Sequence, residues 1–178
     1  MNVAQMFATV GRVGFTPVAP GTAGSLVPCL VVFLLQKGSL LRTLPFTPLL
    51  ILILLSLPSI HFVLKNPLPT CSTPRKKADP SYIVMDEVVG QLLTLWLVQW
   101  AAPLTGRKIL LAFIAFRFFD IVKPWPIRNV EAALSKQPSL QAFGVVADDL
   151  LAGVFAGLLI VLAIYVAPFV SFLSFCLT

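Results

Sequence analysis

The stretch GVVADDLLAGVFAGLLIVLAIYVAPFVSFLSF, Gly144 to Phe175, decides the fold class of this chain. It contains no charged residue after Asp149. Because a membrane-spanning helix needs about 20 apolar residues, a run of this length predicts such a helix. Carboxylates at bilayer depth are costly, and two adjacent ones also repel each other. Asp148 and Asp149 therefore indicate a functional site at the start of this run.

The composition supports a membrane protein. Of the 178 residues, 58% are hydrophobic and 11% are charged, and the mean hydropathy is +0.94. Soluble domains carry about 25% charged residues, so a water-soluble enzyme is excluded. We expect a single membrane-embedded domain over residues 1–178 with no cleaved signal peptide. The net charge of +6 forms no long soluble stripe, which favours an anionic lipid surface over nucleic acid as the partner.

Four further apolar runs precede this last one, so that the chain has five in all. Since isolated strands leave backbone groups unpaired in lipid, we expect every run to be helical. The prediction is an all-α, polytopic membrane helix bundle with four to five spans. The runs are Leu26–Leu41, Leu49–Leu64, Val88–Ala102, Ile109–Val122 and Leu150–Leu177.

The charges predict an orientation in the membrane. With five spans, eight basic residues lie on one side, and the opposite side has four. All seven acids lie on the first side or at helix ends that face it. The positive-inside tendency makes that side cytoplasmic. The basic residues of the first side are Arg12, Lys65, Arg75, Lys76, Lys77, Lys123, Arg128 and Lys136; those of the second are Lys37, Arg42, Arg107 and Lys108.

The segment GFTPVAPGTAGSL, Gly14 to Leu26, precedes the first apolar run. Its prolines stiffen a loop, and Gly21 and Gly24 allow close approach of the backbone to a ligand. Thr22 and Ser25 add hydroxyls where the first helix is expected to start, and helix N-termini favour phosphate. An ordinary N-cap and turn explains the same residues equally well. No P-loop lysine follows.

Two more segments carry charge into the apolar runs. In DPSYIVMDEVVGQ, Asp79 to Gln91, the acids Asp86 and Glu87 open the third run. Helix-dipole partners account for one acid per helix, but not easily for two at each of two helices. In FRFFDIVKPWPIR, Phe116 to Arg128, the side chains of Arg117 and Asp120 share one helical face. An ion pair between these two residues and an interfacial anchor explain part of this segment. They do not account for Lys123 and Arg128.

The small residues of the last run predict close helix packing. Gly153 and Gly157 form a GxxxG step, which lets another helix approach. The other reactive residue types indicate no site. His61, the only histidine, lies within an apolar run, and the three cysteines have neither disulfide nor zinc spacing.

Taken together, acids, basic residues and a Gly/Thr/Ser loop on one side favour metal-assisted phosphoryl chemistry on a lipid. Mg²⁺ prefers carboxylates together with substrate phosphate, and Arg and Lys suit phosphate oxygens. Four segments in this order resemble the phosphatidylglycerophosphatase A family. The segments are PVAPGTAGSL, YIVMDEVVGQ, FRFFDIVKPWPIR and VVADDLLAG.

The resemblance implies a bacterial inner-membrane, Mg²⁺-dependent phosphatase that converts phosphatidylglycerophosphate to phosphatidylglycerol. We expect the catalytic acids near the cytoplasmic interface to be Asp86, Glu87, Asp120, Asp148 and Asp149, with Mg²⁺ bound by Asp86, Glu87, Asp148 and Asp149. We expect the phosphate to be bound by Thr22, Ser25, Arg117, Lys123 and Arg128.

Two other functions remain open from the sequence. A CDP-alcohol-type lipid headgroup transferase also uses carboxylates and Mg²⁺, but its spaced DG…AR…G…D…D pattern does not occur. A non-enzymatic cation transporter would also gather acids between helices, but it would not need the basic segment. The nucleophile, a water or an aspartate, and the oligomeric state also stay open.

Overall fold

A computed structural model describes residues 1–38, 43–66, 68, 81–134 and 140–176, with the side chains of 131–133 and 168–176 excepted. In these ranges the chain is all helical, as predicted, with seven α-helices and one 3-10 turn at Val13–Phe15. The helices are α1 Val3–Ala8, α2 Pro20–Lys37, α3 Phe46–Lys65, α4 Met85–Ala101, α5 Gly106–Val122, α6 Ile127–Leu134 and α7 Gln141–Cys176. Six residues whose side of the membrane was predicted lie outside the described residues: Asp79, Arg42, Arg75, Lys76, Lys77 and Lys136.

Five long helices match the five predicted apolar runs. Among the described residues, three are long and apolar enough to cross a membrane by length and composition: α2, α3 and the Gln141–Ala167 part of α7. Helices α4 and α5 have 17 residues each, a length of about 25 Å, against a hydrocarbon core of about 30 Å. Nine residues of α4 are buried, so this helix is the centre of the bundle.

The outer helices present an apolar surface. Large side chains on α2, α3, α5 and α7 are exposed in rows, including Leu34, Leu54, Ile114, Phe118 and Leu162. An exposed apolar surface of this extent is typical of a protein face in contact with lipid. This surface and the three apolar helices identify a membrane protein.

The end of α5 and the start of α7 test two predictions. Helix α5 ends at Val122, before Pro124, as expected, and Lys123 closes it in the left-handed conformation with φ +43°. Helix α7 begins at Gln141, two turns before the aspartates. Asp148 and Asp149 therefore lie inside the helix, where backbone amides already have partners, and cannot be its N-cap.

Helices α4 and α7 cross at very short range. A Cβ atom placed on Gly90 of α4 would lie 2.6 Å from the carbonyl oxygen of Asp149. Gly153 faces Gly90, and Gly157 packs on Leu97, which confirms the packing role predicted for this GxxxG step. This crossing carries the aspartates of α7 to the first turn of α4.

Candidate active site

A cavity of about 400 Å³ opens at the end of the bundle where α2 and α4 begin and α5 ends. Seven charged side chains line it, five acids and two bases. Four of the predicted segments, far apart in sequence, contribute to this one cavity. The charged residues are Asp86, Glu87, Arg117, Asp120, Lys123, Asp148 and Asp149.

The acids of α4 lie in its first turn and point to the cavity. Asp86 is buried, and its Oδ1 accepts a hydrogen bond of 3.1 Å from the backbone N–H of Glu87. The Oε2 atom of Glu87 is buried and has no hydrogen-bond partner. A buried carboxylate oxygen without a partner is costly, so this atom indicates a missing ligand.

The adjacent aspartates of α7 have different partners. The carboxylate of Asp148 accepts a hydrogen bond from Lys123 Nζ and one of 3.1 Å from the backbone N–H of Asp149. The carboxylate of Asp149, by contrast, lies beside the acids of α4. Because both aspartates are buried, a charged or metal partner is needed to stabilise each of them.

Three carboxylates form a group that could hold a metal ion. One oxygen each from Asp86, Glu87 and Asp149 lies within 4.8 Å of the others. Hard oxygen donors of this kind suit Mg²⁺. The excess of acids over bases in the cavity and the unpartnered Glu87 Oε2 also fit a divalent cation. Asp148 is not in this group, so its predicted metal role stays a prediction.

Arg117 and Asp120 form the ion pair that their spacing predicted, and both side chains are largely buried. Arg117 Nε is buried and has no partner. Since a guanidinium has five N–H donors, Arg117 can bind Asp120 and still donate to a phosphate oxygen. Asp120 thus contacts a residue that is predicted to bind phosphate.

The start of α2 contributes backbone to the cavity. Ala19, Pro20 and Gly21 line it, and a Cβ on Gly21 would lie 3.2 Å from Glu87 Cδ and 3.3 Å from Arg117 Nη1. The N–H groups of Gly21 and Thr22 precede the first hydrogen bond of α2, from Ala23 N to Ala19 O at 3.1 Å. Free amides at a helix start favour an anion beside this cavity.

The hydroxyls of this segment are placed differently from the glycine. Ser25 is buried, and its Oγ donates to the carbonyl oxygens of Gly21 and Thr22 at 3.0 and 3.2 Å. Thr22 is half-buried, and neither residue lines the cavity. Their phosphate-binding roles stay predictions. Gly21 is the residue of this segment that contacts the acids.

A buried polar residue close to the acids in sequence was not singled out by the sequence analysis. Gln91 follows Glu87 by one turn of α4, is fully buried, and has no hydrogen-bond partner for either amide atom. The signal was its i+4 spacing from Glu87, which puts both on one helical face. It lies one turn further into α4 than Glu87 and does not line the cavity.

Comparison with known proteins identifies the family. A family model described as Phosphatidylglycerophosphatase A matches residues 6–164. The chain belongs to the phosphatidylglycerophosphatase A family. No solved structure matches it.

Relatives of this phosphatidylglycerophosphatase A family member bear two different names. A Haemophilus influenzae phosphatidylglycerophosphatase A is 33% identical, over 88% of this chain and 85% of the relative. The Escherichia coli phosphatidylglycerophosphatase A is 30% identical, over 82% and 75%. A Bacteroides thetaiotaomicron protein, provisionally named a phosphatidylinositol-3-phosphatase, is 36% identical, over 86% and 88%.

Membership in the phosphatidylglycerophosphatase A family makes the chain a phosphatase of membrane lipids. The resemblance seen in four short segments is thereby confirmed over nearly the whole chain. The cavity explains why those segments are the ones that stand out, since each contributes to its wall.

Proposed function

We propose that this family member removes the terminal phosphate of phosphatidylglycerophosphate in a Mg²⁺-dependent reaction and leaves phosphatidylglycerol. The observation that carries the proposal is the group of carboxylates from Asp86, Glu87 and Asp149, with oxygens within 4.8 Å of one another. Arg117 and the start of α2 line the same cavity, and Gly21 lies directly beside Glu87 and Arg117. Cation ligands and phosphate donors side by side in one cavity are what a metal-assisted phosphatase needs.

Asp86, Glu87 and Asp149 would hold the Mg²⁺, and Asp148, which the sequence also predicted as a ligand, would act through its ion pair with Lys123. The bound ion would supply Lewis-acid polarisation of the phosphate and neutralise part of its charge. Arg117 and the amide of Gly21, which both line the cavity, would bind the phosphate oxygens. Asp120 keeps the guanidinium of Arg117 in place through their ion pair.

In the reaction, a new O–P bond forms as the P–O bond to the glycerol carbon chain breaks. The electron pair of the broken bond stays on the glycerol oxygen, which takes up a proton and becomes the hydroxyl of phosphatidylglycerol. The attacking oxygen belongs to water or to an aspartate of the cavity; in the second case, water would hydrolyse the aspartyl phosphate in a following step and release inorganic phosphate. Trapping of a phospho-enzyme distinguishes these two routes.

A second substrate has a specific observation in its favour. The Bacteroides relative bears the provisional name phosphatidylinositol-3-phosphatase. Its named substrate and phosphatidylglycerophosphate both carry a phosphate monoester next to a phosphodiester. The test of function should therefore compare both lipids.

We expect the purified protein in detergent with Mg²⁺ to release phosphate from phosphatidylglycerophosphate faster than from phosphatidylinositol 3-phosphate or glycerol 3-phosphate. Chelation with EDTA should stop the release, and added Mg²⁺ should restore it. Preferred hydrolysis of the inositol lipid would move the assignment to that substrate. Full activity in EDTA would contradict the metal role.

We also place the protein in the bacterial inner membrane as a multi-pass protein, with the cavity at the cytoplasmic face. The orientation rests on the sequence alone, from which eight basic residues are predicted on the side where the first helix starts and four on the other. The substrate's headgroup would then enter from the cytoplasmic leaflet.

This orientation predicts a labelling pattern. Arg12 precedes α2 at the cavity end, and Arg107 lies at the start of α5, the opposite end of the bundle. A membrane-impermeant maleimide should label Arg107→Cys in cells whose outer membrane is opened, but Arg12→Cys only after the inner membrane is permeabilised. The parent protein gives the background from its own cysteines. The reverse pattern would invert the orientation.

A further inference from the structure

A second cavity, of about 320 Å³, lies at the end of α5 and shares one wall with the acid cavity. The shared residue is Lys123, whose Nζ pairs with Asp148 on the acid side. The chemistry of the two cavities is opposite. Five acids line the first, whereas no acid is among the described residues that line the second, which are Val122, Lys123, Pro124, Trp125, Arg128 and Asn129.

Arg128 therefore lies outside the cavity in which the phosphate monoester is proposed to react. It is exposed, and it makes no ion pair with another described residue. A cation and an amide in a cavity with no acid among the described residues that line it form a site for an anion. Acids outnumber bases in the first cavity, whereas the charged side chains among the described residues that line the second are all basic.

The segment that presents Arg128 is held firmly. Ile127 is fully buried and packs with Phe116 and Ala152. Its N–H donates to the carbonyl oxygen of Pro124 at 2.8 Å, and the N–H of Asn129 donates to that of Pro126 at 3.0 Å. The backbone of an anion site on this turn is therefore preorganised, which reduces the backbone entropy lost on binding.

The second cavity also meets the lipid-facing surface. Val122 lines it, and Phe118, one turn earlier on α5, is exposed and lines an apolar groove between α5 and α7. That groove is lined almost entirely by apolar side chains, among them Leu111 and Leu159. A lipid whose acyl chain follows this face of α5 would bring its phosphodiester to Arg128.

We propose that Arg128 and Asn129 bind the phosphodiester of the lipid substrate while its terminal phosphate lies in the acid cavity beyond Lys123. The proposal rests on the proposed function, because only a lipid with two phosphate groups fills both cavities. The diester cannot be hydrolysed at Arg128, since the carboxylate group lies in the other cavity. Arg128 is thus a specificity residue that selects two-phosphate lipids and sets which phosphate reacts.

The two products of the reaction allow binding in each cavity to be tested separately. Phosphatidylglycerol keeps the diester and has lost the monoester, whereas inorganic phosphate corresponds to the monoester alone. In Arg128→Gln, the inhibition constant of short-chain phosphatidylglycerol should rise about tenfold or more, since one charge-assisted contact is lost. The inhibition constant of inorganic phosphate should not change.

Arg12→Gln is the matched control, since Arg12 is an exposed arginine at the same end of the bundle and lines none of the cavities. It should alter neither constant. An unchanged phosphatidylglycerol constant in Arg128→Gln overturns the proposal, and so does a parallel rise of both constants, which would assign Arg128 to the reacting phosphate. If Arg128→Gln does not fold, Asn129→Asp replaces it, because a carboxylate in the second cavity should repel the diester.

Direct binding keeps this test separate from the proposed activity. Calorimetric titration of short-chain phosphatidylglycerol into the Mg²⁺-loaded protein should show weaker binding to Arg128→Gln than to the parent. Failure of the parent to hydrolyse phosphatidylglycerophosphate would refute the proposed function. Equal binding by parent and variant would refute the second cavity as a diester site.

Discussion

Asp149→Asn should lower Mg²⁺-dependent phosphate release by about a hundredfold or more while the protein still inserts and folds. The substitution keeps the shape of the side chain and removes the charge of one of the three carboxylates grouped within 4.8 Å. A metal ion supplies several kcal/mol of transition-state stabilisation, and about 1.4 kcal/mol corresponds to tenfold in rate. Phosphate release at limiting and saturating Mg²⁺ measures the loss.

Asp148→Asn is the comparison variant for Asp149→Asn. Its carboxylate pairs with Lys123, so this variant keeps all three grouped carboxylates. Mg²⁺ should raise the melting temperature of the parent and of Asp148→Asn, and much less that of Asp149→Asn, because a ligand stabilises only a fold that binds it. Near-parental turnover of Asp149→Asn at limiting Mg²⁺ would contradict the site. Equal melting shifts in both variants would contradict the distinction between the aspartates.

Gly90→Ala should destabilise the protein by about 1–3 kcal/mol and also reduce its turnover, because the added methyl overpacks the crossing of α4 and α7. The new Cβ would lie 2.6 Å from the backbone oxygen of Asp149 and 2.7 Å from Phe116 Cε2. Backbone cannot move aside as a side chain can, so α7 must shift and Asp149 with it. Thermal unfolding in detergent and phosphate release measure the two effects.

Gly106→Ala is the control for this steric argument. It makes the same substitution at the start of α5, where a Cβ would meet only the edge of the Phe33 ring, at 3.3 Å. Alanine is also favoured over glycine in helices by about 1 kcal/mol, which opposes any small clash. We expect near-parental stability and activity for it. Parental behaviour of Gly90→Ala would show that the crossing tolerates a wider separation, against the geometry described here.

The sequence by itself determined the helical architecture and the chemical character of the site. Apolar runs of this length can satisfy their backbone in lipid only as helices, and these helices were found where the runs lie. Proline geometry fixed the end of α5 before Pro124, and i, i+3 spacing fixed the pair of Arg117 and Asp120. Each of these properties depends only on neighbours along the chain.

The tertiary structure alone decided which member of each local pair faces the cavity and in what role. Asp148 and Asp149 are equivalent by sequence, yet successive helical residues point about 100° apart. The approach of Gly153 to Gly90 therefore turns Asp149 to the acids of α4 and leaves Asp148 to Lys123. In the same way, the packing of α2 puts Gly21, and not the hydroxyl of Ser25, against Glu87. Helix orientation is set by side chains distant in sequence, and so no local pattern could assign these roles.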